Sequence, residues 1–264
     1  MTYELTTIRG VPMYLIKEDP GISSVLKRRG VHEPWLVQTL EQTLKKDMVG
    51  LDIGANLGFF AILEAGLCRK VYAIEPVPEN YKALVKTVYY NRINNIDASP
   101  IALGNKNGTN KMLVTKQSNW GTLVKEENGS DFYRSFFGEH KTGEIEVKEM
   151  TLDAWMQLIV PKSIDFIRMD VEGYEHEIIE GGTKTLAKME EGSLLFIEWH
   201  NLELNDYPSK MRKSLGTLVE CGFSPFAAYG KMGKEIGKPI NVNADFIEKF
   251  STWNTASFHL YFRK

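Results

Sequence analysis

Asp52, Gly54, Gly58 and Glu75 mark out a small-molecule pocket. The run VGLDIGANLGFFAI at 49–62 passes through Asp52 into Gly54, Ala55, Asn56 and Gly58, then returns to apolar residues. Glycines there let the backbone bend without strain or approach a ligand closely. Glu75 ends the next apolar run, where a carboxylate can accept both hydroxyls of a ribose. A dinucleotide site would usually show GxGxxG, with pyrophosphate on a helix N-terminus. Here an acid stands two residues before the first glycine. A carboxylate at that point repels pyrophosphate but balances an ammonium or sulfonium cation. S-adenosylmethionine carries an amino-acid end, a sulfonium and a ribose, and no phosphate, so charge favours it over NAD. The plainer alternative is a tight strand-to-helix turn with no ligand, and the pairing of Asp52 with Glu75 weighs against it.

A second group collects acids and imidazoles: Asp170, Glu172 and His176 after one apolar run, Glu198 and His200 at the end of another. Methyl transfer from a sulfonium needs alignment of acceptor, methyl and sulfur, and removal of the acceptor's proton. Asp170 is the first candidate at the reacting centre, touching the acceptor or the cofactor; its alternative is a cap on the following turn. His200, whose ordinary pKa lies near neutrality, is the candidate general base, with Glu198 orienting it or the acceptor. Their alternative is a partly exposed loop position. Glu172-Gly173-Tyr174 is expected to shape the turn into a helix. Asp170, Glu198 and His200 also offer hard ligands for Mg²⁺ or a similar divalent metal. No compact ligand motif requires one, and no metal site is expected. Trp120 could stack on a sugar face, and His32, Glu33 and Trp35 could cover the cofactor as a lid. For these aromatics plain burial is the alternative.

These residues sit in a rhythm of elements. Apolar runs at 48–53, 70–75, 164–170 and 193–199 are each followed by a longer segment of helical period. Tyr81, Leu84, Val85, Val88 and Tyr89 are expected on one buried face. Ile178, Ile179, Leu186 and Met189 make a similar stripe over 175–189, and Met211, Leu215, Leu218 and Val219 over 208–221. Near-continuous apolar strands alternating with amphipathic helices imply an α/β fold, a parallel sheet covered on both faces. Parallel strands also bring all the candidate residues to one side of the sheet. Residues 104–150 break the rhythm with Asn/Gly turns and alternating segments, Lys111–Thr115 and Glu144–Lys148, and are expected as an antiparallel insertion or edge strands. Within it, 125–143 suits a lid. A final strand is expected at Ser257–Arg263. The division expected is an N-terminal strand/helix cap over 1–47 and one domain over 48–264, with the insertion at about 105–150.

Composition narrows the partners. The chain has 264 residues, 43% hydrophobic and 25% charged, ordinary for a globular protein with a sizeable core. A formal charge of −2 gives no global reason to bind nucleic acid or an anionic membrane, and no nucleic-acid partner is expected. The basic stretch 229–238 is expected as a Gly-punctuated loop. Cys68 and Cys221 form no disulfide framework or metal spacing and are expected as buried thiols. With no apolar leader region and no long apolar span, a cytoplasmic protein without an integral membrane segment is expected. Peripheral association with a membrane-bound substrate and a homo-oligomer both stay open.

The chain resembles the FkbM-type S-adenosylmethionine-dependent methyltransferases. LDIGANLGFF (51–60), VYAIEPVPENYKAL (71–84), IALGNKNG (101–108), TLDAW (151–155) and IDFIRMDVEGYEHEIIEGG (164–182) carry the resemblance, over roughly residues 30 to 200. It implies a class I methyltransferase (Rossmann-like) fold with a seven-stranded, mostly parallel sheet. It also implies O-methylation of a hydroxyl on a sugar, glycan, lipid or natural-product acceptor. By position it puts Asp52, Gly54, Asn56 and Gly58 against the methionine part of the cofactor, Glu75 against the ribose with Pro76 and Asn80 flanking it, and Ala102 and Leu103 against the adenine. Two positions depart from the pattern: His176 where an apolar residue is expected, and Arg168 inside a buried strand, where it needs a partner or an edge. Competing functions are an NAD-dependent oxidoreductase, a cofactor-binding scaffold without catalysis, and a base methyltransferase. The strand end MDVEG lacks the Pro- and aromatic-rich tetrapeptide that cradles a flipped base in the last of these.

Overall fold

The apolar runs pair into one large sheet. The computed structural model describes residues 2–119, 121–123, 141–159, 163–200, 207–230, 235–237 and 257–264. Strands β3 (Val49–Ile53), β4 (Lys70–Ile74), β5 (Ile96–Ser99), β10 (Phe166–Asp170) and β11 (Leu194–His200) run parallel in the spatial order β5-β4-β3-β10-β11. Beyond β11, β14 (Ser257–Arg263) and then β12 (Ser224–Tyr229) pair antiparallel. Those seven strands are the expected sheet. An eighth, three-residue strand, β13 (Glu235–Gly237), extends its edge.

Both faces are covered, which is why the strands read as continuous apolar runs. Leu51, Ile53, Ile167, Met169, Ile197 and Trp199 face one core, closed by α5 (Leu152–Leu158), α6 (Glu175–Gly181), α7 (Thr183–Lys188) and α8 (Tyr207–Glu220). Phe166, Phe196 and Tyr261 face the other, beneath α1 (Ile22–Arg29), α2 (Pro34–Thr43), α3 (Phe59–Leu67) and α4 (Pro78–Tyr90). Gly50 makes room for Phe166: a Cβ there would lie 2.0 Å from the ring's Cζ. Strand alternation puts Asp52, Arg168, Glu198 and His259 on this second face, near the ends of their strands. Cys68 and Cys221 are buried free thiols, as expected.

Two expectations need correction, both in helices. The buried face of α4 is Asn80, Ala83, Leu84 and Thr87, while Val85 is 39% and Tyr89 86% exposed. Polar partners decide this: Asn80 donates to the Ser118 carbonyl, and Thr87 Oγ1 accepts the Tyr14 N–H of the N-terminal hairpin formed by β1 (Tyr3–Ile8) and β2 (Val11–Ile16). The helical segment 175–189 breaks into α6 and α7 at Gly182, where a Cβ would lie 2.7 Å from the Leu152 side chain. The insertion forms its own four-stranded sheet, β6 (Ala102–Gly104), β9 (Lys141–Thr151), β7 (Gly108–Thr115), β8 (Thr122–Leu123) in spatial order. β7 and β9 pair antiparallel and join Lys111–Thr115 to 141–146, while β6 pairs parallel to β9. Trp120 and most of the 125–143 lid segment lie outside the described residues. No helix among the described residues is long and apolar enough to cross a membrane.

Candidate active site

The turn after β3 is set by three left-handed residues: Gly54 (φ 82°), Asn56 (φ 52°) and Gly58 (φ 89°). Glycine adopts that conformation freely, and asparagine tolerates it better than most side chains. The Gly54 and Ala55 N–H groups donate to the Ile74 carbonyl at 3.0 and 2.9 Å. A Cβ on Gly54 would lie 2.0 Å from the Asp170 carbonyl oxygen, so this turn closes directly onto the end of β10. Gly58 serves differently. It caps α3 away from the cleft, where a Cβ would meet Leu84 of α4 at 2.4 Å. It is not among the residues that line that cleft.

Beside the turn opens a cleft of about 580 Å³, mouth included. Ile74, Pro76, Val77, Ala102, Leu103, Met112 and Leu123 make it an apolar slot; Gly54, Asn56, Asn80 and Ser118 add polar edges. Three carboxylates line it, Glu75, Asp170 and Glu172, and no Lys, Arg or His does so among the described residues. Glu75 is held in place by N–H donors: Asn56 N to Oε2 at 2.8 Å, Val77 N to Oε1 at 2.8 Å, and Asn80 Nδ2 at 3.5 Å. Burial pushes its pKa up to about 7, against the pull of those donors.

Asp52 does not line this cleft. Fully buried, it accepts a hydrogen bond from Arg168 Nη1 at 2.8 Å, while Arg168 Nη2 donates to Asp170 Oδ2 at 2.6 Å. The guanidinium also lies 4.0 Å over the Phe60 ring. The cation that Asp52 meets in the structure is a side chain of the same sheet, and the unusual Arg168 has its partners. Burial raises the Asp52 pKa despite the guanidinium. For Asp170 burial acts in the same direction but loses to Arg168 and to the nearby imidazoles, which hold that carboxyl below its usual range.

His200 stands behind the cleft, not in its wall. Its Nδ1 lies 2.7 Å from Glu175 Oε1, and its Nε2 is 3.6 Å from both Glu172 Oε2 and Glu198 Oε1. Burial favours the neutral ring, but Glu172, Glu198 and Glu175 together raise its pKa well above the ordinary value. The three carboxyl groups thus favour the charged form of the ring, against the pull of burial. Burial pushes Glu198 up to about 7 and Glu172 up to about 8. Of these residues only Glu172 joins Asp170 in the cleft wall. Asp170, Glu198 and His200 do bring ligand atoms within 4.8 Å of one another. His176 is elsewhere: its Nδ1 meets Ser214 Oγ at 3.0 Å, and its ring packs on Trp199 and Tyr207.

His32, Glu33 and Trp35 cover the ion-paired face beneath α2 and do not reach the cleft. Burial lowers the His32 pKa to about 4. Two partnerships escaped sequence reasoning. Glu175, read there only as part of a helix, orients His200. Asp19 accepts hydrogen bonds from Ser118 N at 2.9 Å and Ser118 Oγ at 2.7 Å, while also binding Gly21 N and Ser23 N. Ser118 in turn presents its carbonyl to Asn56 and Asn80 Nδ2 at 3.0 and 2.8 Å. The Asp-Pro-Gly turn at 19–21 was the one available signal, and it does not name a partner 99 residues away.

Residues 52–225 match the family model described as the methyltransferase FkbM domain. A curated relative, the 2-O-methyltransferase NoeI of Sinorhizobium fredii, is 28% identical over 207 residues, covering 75% of this chain and 80% of the relative. Among solved structures, the complex of aTrm5 with tRNALeu is similar at TM-score 0.50 and 14% identity, over 99% of this chain and 53% of that one. TYW2 of M. jannaschii in complex with AdoMet is similar at TM-score 0.48 and 11% identity, over 100% and 87%. Since a protein solved in complex with a tRNA shares the fold, the architecture does not separate a small acceptor from a nucleic acid.

Proposed function

This chain belongs to the FkbM methyltransferase family, and from that premise we propose that it methylates a hydroxyl of a sugar, glycan, lipid or natural-product acceptor, with S-adenosylmethionine as donor. One observation carries the cofactor side of the proposal: a cleft with an apolar slot and three carboxylates, and no cationic side chain among the described lining residues. Such walls repel phosphate and favour a phosphate-free cation, which disfavours the NAD alternative. The slot formed by Ala102, Leu103, Met112 and Val77 suits a purine, Glu75 a ribose, and the bare turn at Gly54 the amino-acid end. S-adenosylmethionine bound there supplies an electrophilic methyl group.

The protein's own work is alignment and proton removal. Asp170, fixed by Arg168, orients the acceptor hydroxyl at the cleft wall. Glu172 accepts the proton in its ionised form, which gains ground as pH rises through about 8. Its raised pKa makes it a stronger base than an exposed carboxylate. The His200 ring, fixed by Glu175, and Glu198 behind it hold Glu172 in position. The hydroxyl acceptor is supported by the relative NoeI, a 2-O-methyltransferase.

The test is binding first, then transfer. Calorimetry should show one S-adenosylhomocysteine per chain and no binding of NAD. Purified protein with S-adenosylmethionine should then label a hydroxylated glycan or lipid from a screen. NAD binding without S-adenosylhomocysteine binding would overturn the cofactor proposal. Labelling of RNA in preference to every hydroxylated small molecule would overturn the acceptor proposal.

A further inference from the structure

Behind the cleft, on the sheet face that carries Asp52 and Arg168, Glu33, Glu198 and His259 bring one ligand atom each to within 4.8 Å of one another. They come from three elements: Glu33 is the N-cap of α2, Glu198 lies in β11 and His259 in β14. His259 Nε2 is 3.4 Å from Glu33 Oε1 and 3.9 Å from Glu198 Oε1. Glu33 is only 8% and His259 4% exposed. Among the described residues nothing donates a hydrogen bond to Glu33 Oε2. The three side chains border one small recess, shared with Asp170 and Arg168.

The backbone of Glu33 points the same way. It is left-handed, at φ 45° and ψ 67°, although the residue has a full side chain and precedes Pro34; sterics drive such a residue toward extended backbone. An acid at an N-cap ordinarily accepts from the free N–H groups of its helix. Glu33 makes no such bond. Strain of this kind persists where the surroundings over-determine it, often at ligand sites. Here it delivers a carboxylate into a space that already holds Glu198 and an imidazole.

Charge completes the picture. Asp52 and Asp170 together offset Arg168, and Glu172, Glu175 and Glu198 surround His200. Glu33 therefore adds buried carboxylate to a region whose cations are already engaged. His259 turns its Nε2 towards both Glu33 Oε1 and Glu198 Oε1, the ring atom through which an imidazole binds a metal. Two carboxylates and one imidazole suit Mn²⁺, Zn²⁺ or a similar ion better than Ca²⁺ or Mg²⁺, which take oxygen ligands alone.

We propose that Glu33, Glu198 and His259 form a binding site for a divalent transition-metal ion, outside the cofactor cleft. The ion would fix the Glu198 carboxylate, whose Oε1 also faces His200, and so would brace the back of the reacting group. It would not touch the acceptor, which separates this site from the Asp170, Glu198 and His200 trio at the cleft.

The test uses Mn²⁺ alone. Full-length protein stripped with a chelator is titrated with Mn²⁺ while the electron paramagnetic resonance signal of the free ion is followed. Loss of that signal for one ion per chain, with a rise in melting temperature, is expected. Glu33→Gln and His259→Gln should each weaken Mn²⁺ binding by more than about tenfold, with S-adenosylhomocysteine affinity unchanged, because neither residue lines the cleft. If Glu33→Gln does not fold, His259→Gln decides alone. Absence of stoichiometric uptake overturns the proposal. So does uptake that survives both substitutions, or uptake lost in Asp170→Asn but kept in Glu33→Gln, which would put the ion in the other trio.

Discussion

Arg168 and Asp52 face each other across neighbouring parallel strands, 2.8 Å apart and both closed off from water. Breaking such a pair from one side leaves a buried charge without its partner, at a cost of about 3–5 kcal/mol. Arg168→Met should therefore lower the unfolding free energy by that amount in urea titrations. The double variant Asp52→Asn/Arg168→Met should recover much of it. A loss below about 1 kcal/mol in the single variant would show that the pair does not hold the strands.

Gly54→Ala is expected to abolish cofactor binding. The new Cβ would lie 2.0 Å from the Asp170 carbonyl, at a backbone angle of φ 82°. Gly66 is the control, in α3 with nothing within 4 Å of a Cβ. Gly66→Ala should raise stability by about 0.5–1 kcal/mol. Calorimetric titration with S-adenosylhomocysteine separates the two, and retained binding in Gly54→Ala would remove the turn from the site.

Cofactor affinity should depend on pH through Glu75. Burial raises this carboxyl to about 7, so the proton arrives as pH falls through that value and the acceptor for a ribose hydroxyl is lost. Affinity for S-adenosylhomocysteine should be flat above pH 8 and fall by up to about tenfold per unit below pH 7. Folding responds with the opposite sign. A carboxyl raised in the fold favours the folded state in its protonated form, so its contribution is full below the unfolded value of 4.5 and is lost as pH rises through about 7. Glu75→Gln should flatten both profiles.

Glu172→Gln is expected to reduce methyl transfer by about 10²–10⁴-fold, with S-adenosylhomocysteine affinity close to wild type. Single-turnover measurement of methyl transfer checks it. Equal turnover in the variant would move the proton acceptor to another group.

Asp19→Ala should weaken S-adenosylhomocysteine binding, although Asp19 itself lies outside the innermost cleft. Its carboxylate holds Ser118, and Ser118 holds Asn56 and Asn80. Losing a hydrogen bond to a charged group is worth about 1.5–3 kcal/mol, so a drop in affinity of about tenfold or more is expected by calorimetry. An unchanged affinity would make the Asp19 contact incidental.

What could be read in advance followed locality. The strands around Gly54, Glu75 and Asp170 were legible because an apolar run and the acid at its end are neighbours in the chain. The pairing of Asp52 was not. An acid beside a glycine turn is equally suited to a bound sulfonium and to a guanidinium 116 residues later, and only the sheet register brings Arg168 opposite it. The face of α4 was misjudged because apolarity was taken as burial, whereas Asn80 and Thr87 are buried for their hydrogen bonds. The acidic surroundings of His200 were hidden for the same reason, since its three carboxyl neighbours come from two separate stretches of the chain.

Gly104 and Gly181 meet without side chains between them: a Cβ on Gly181 would lie 2.0 Å from the Gly104 carbonyl. Beside that contact the buried Glu149 accepts from Asn110 Nδ2 at 2.8 Å and from the Tyr174 hydroxyl at 3.3 Å. The insertion sheet is thereby riveted to α6 and cannot swing as a unit about its base. The apolar slot that Leu103 and Met112 line is standing masonry, so that little ordering entropy need be spent in filling it.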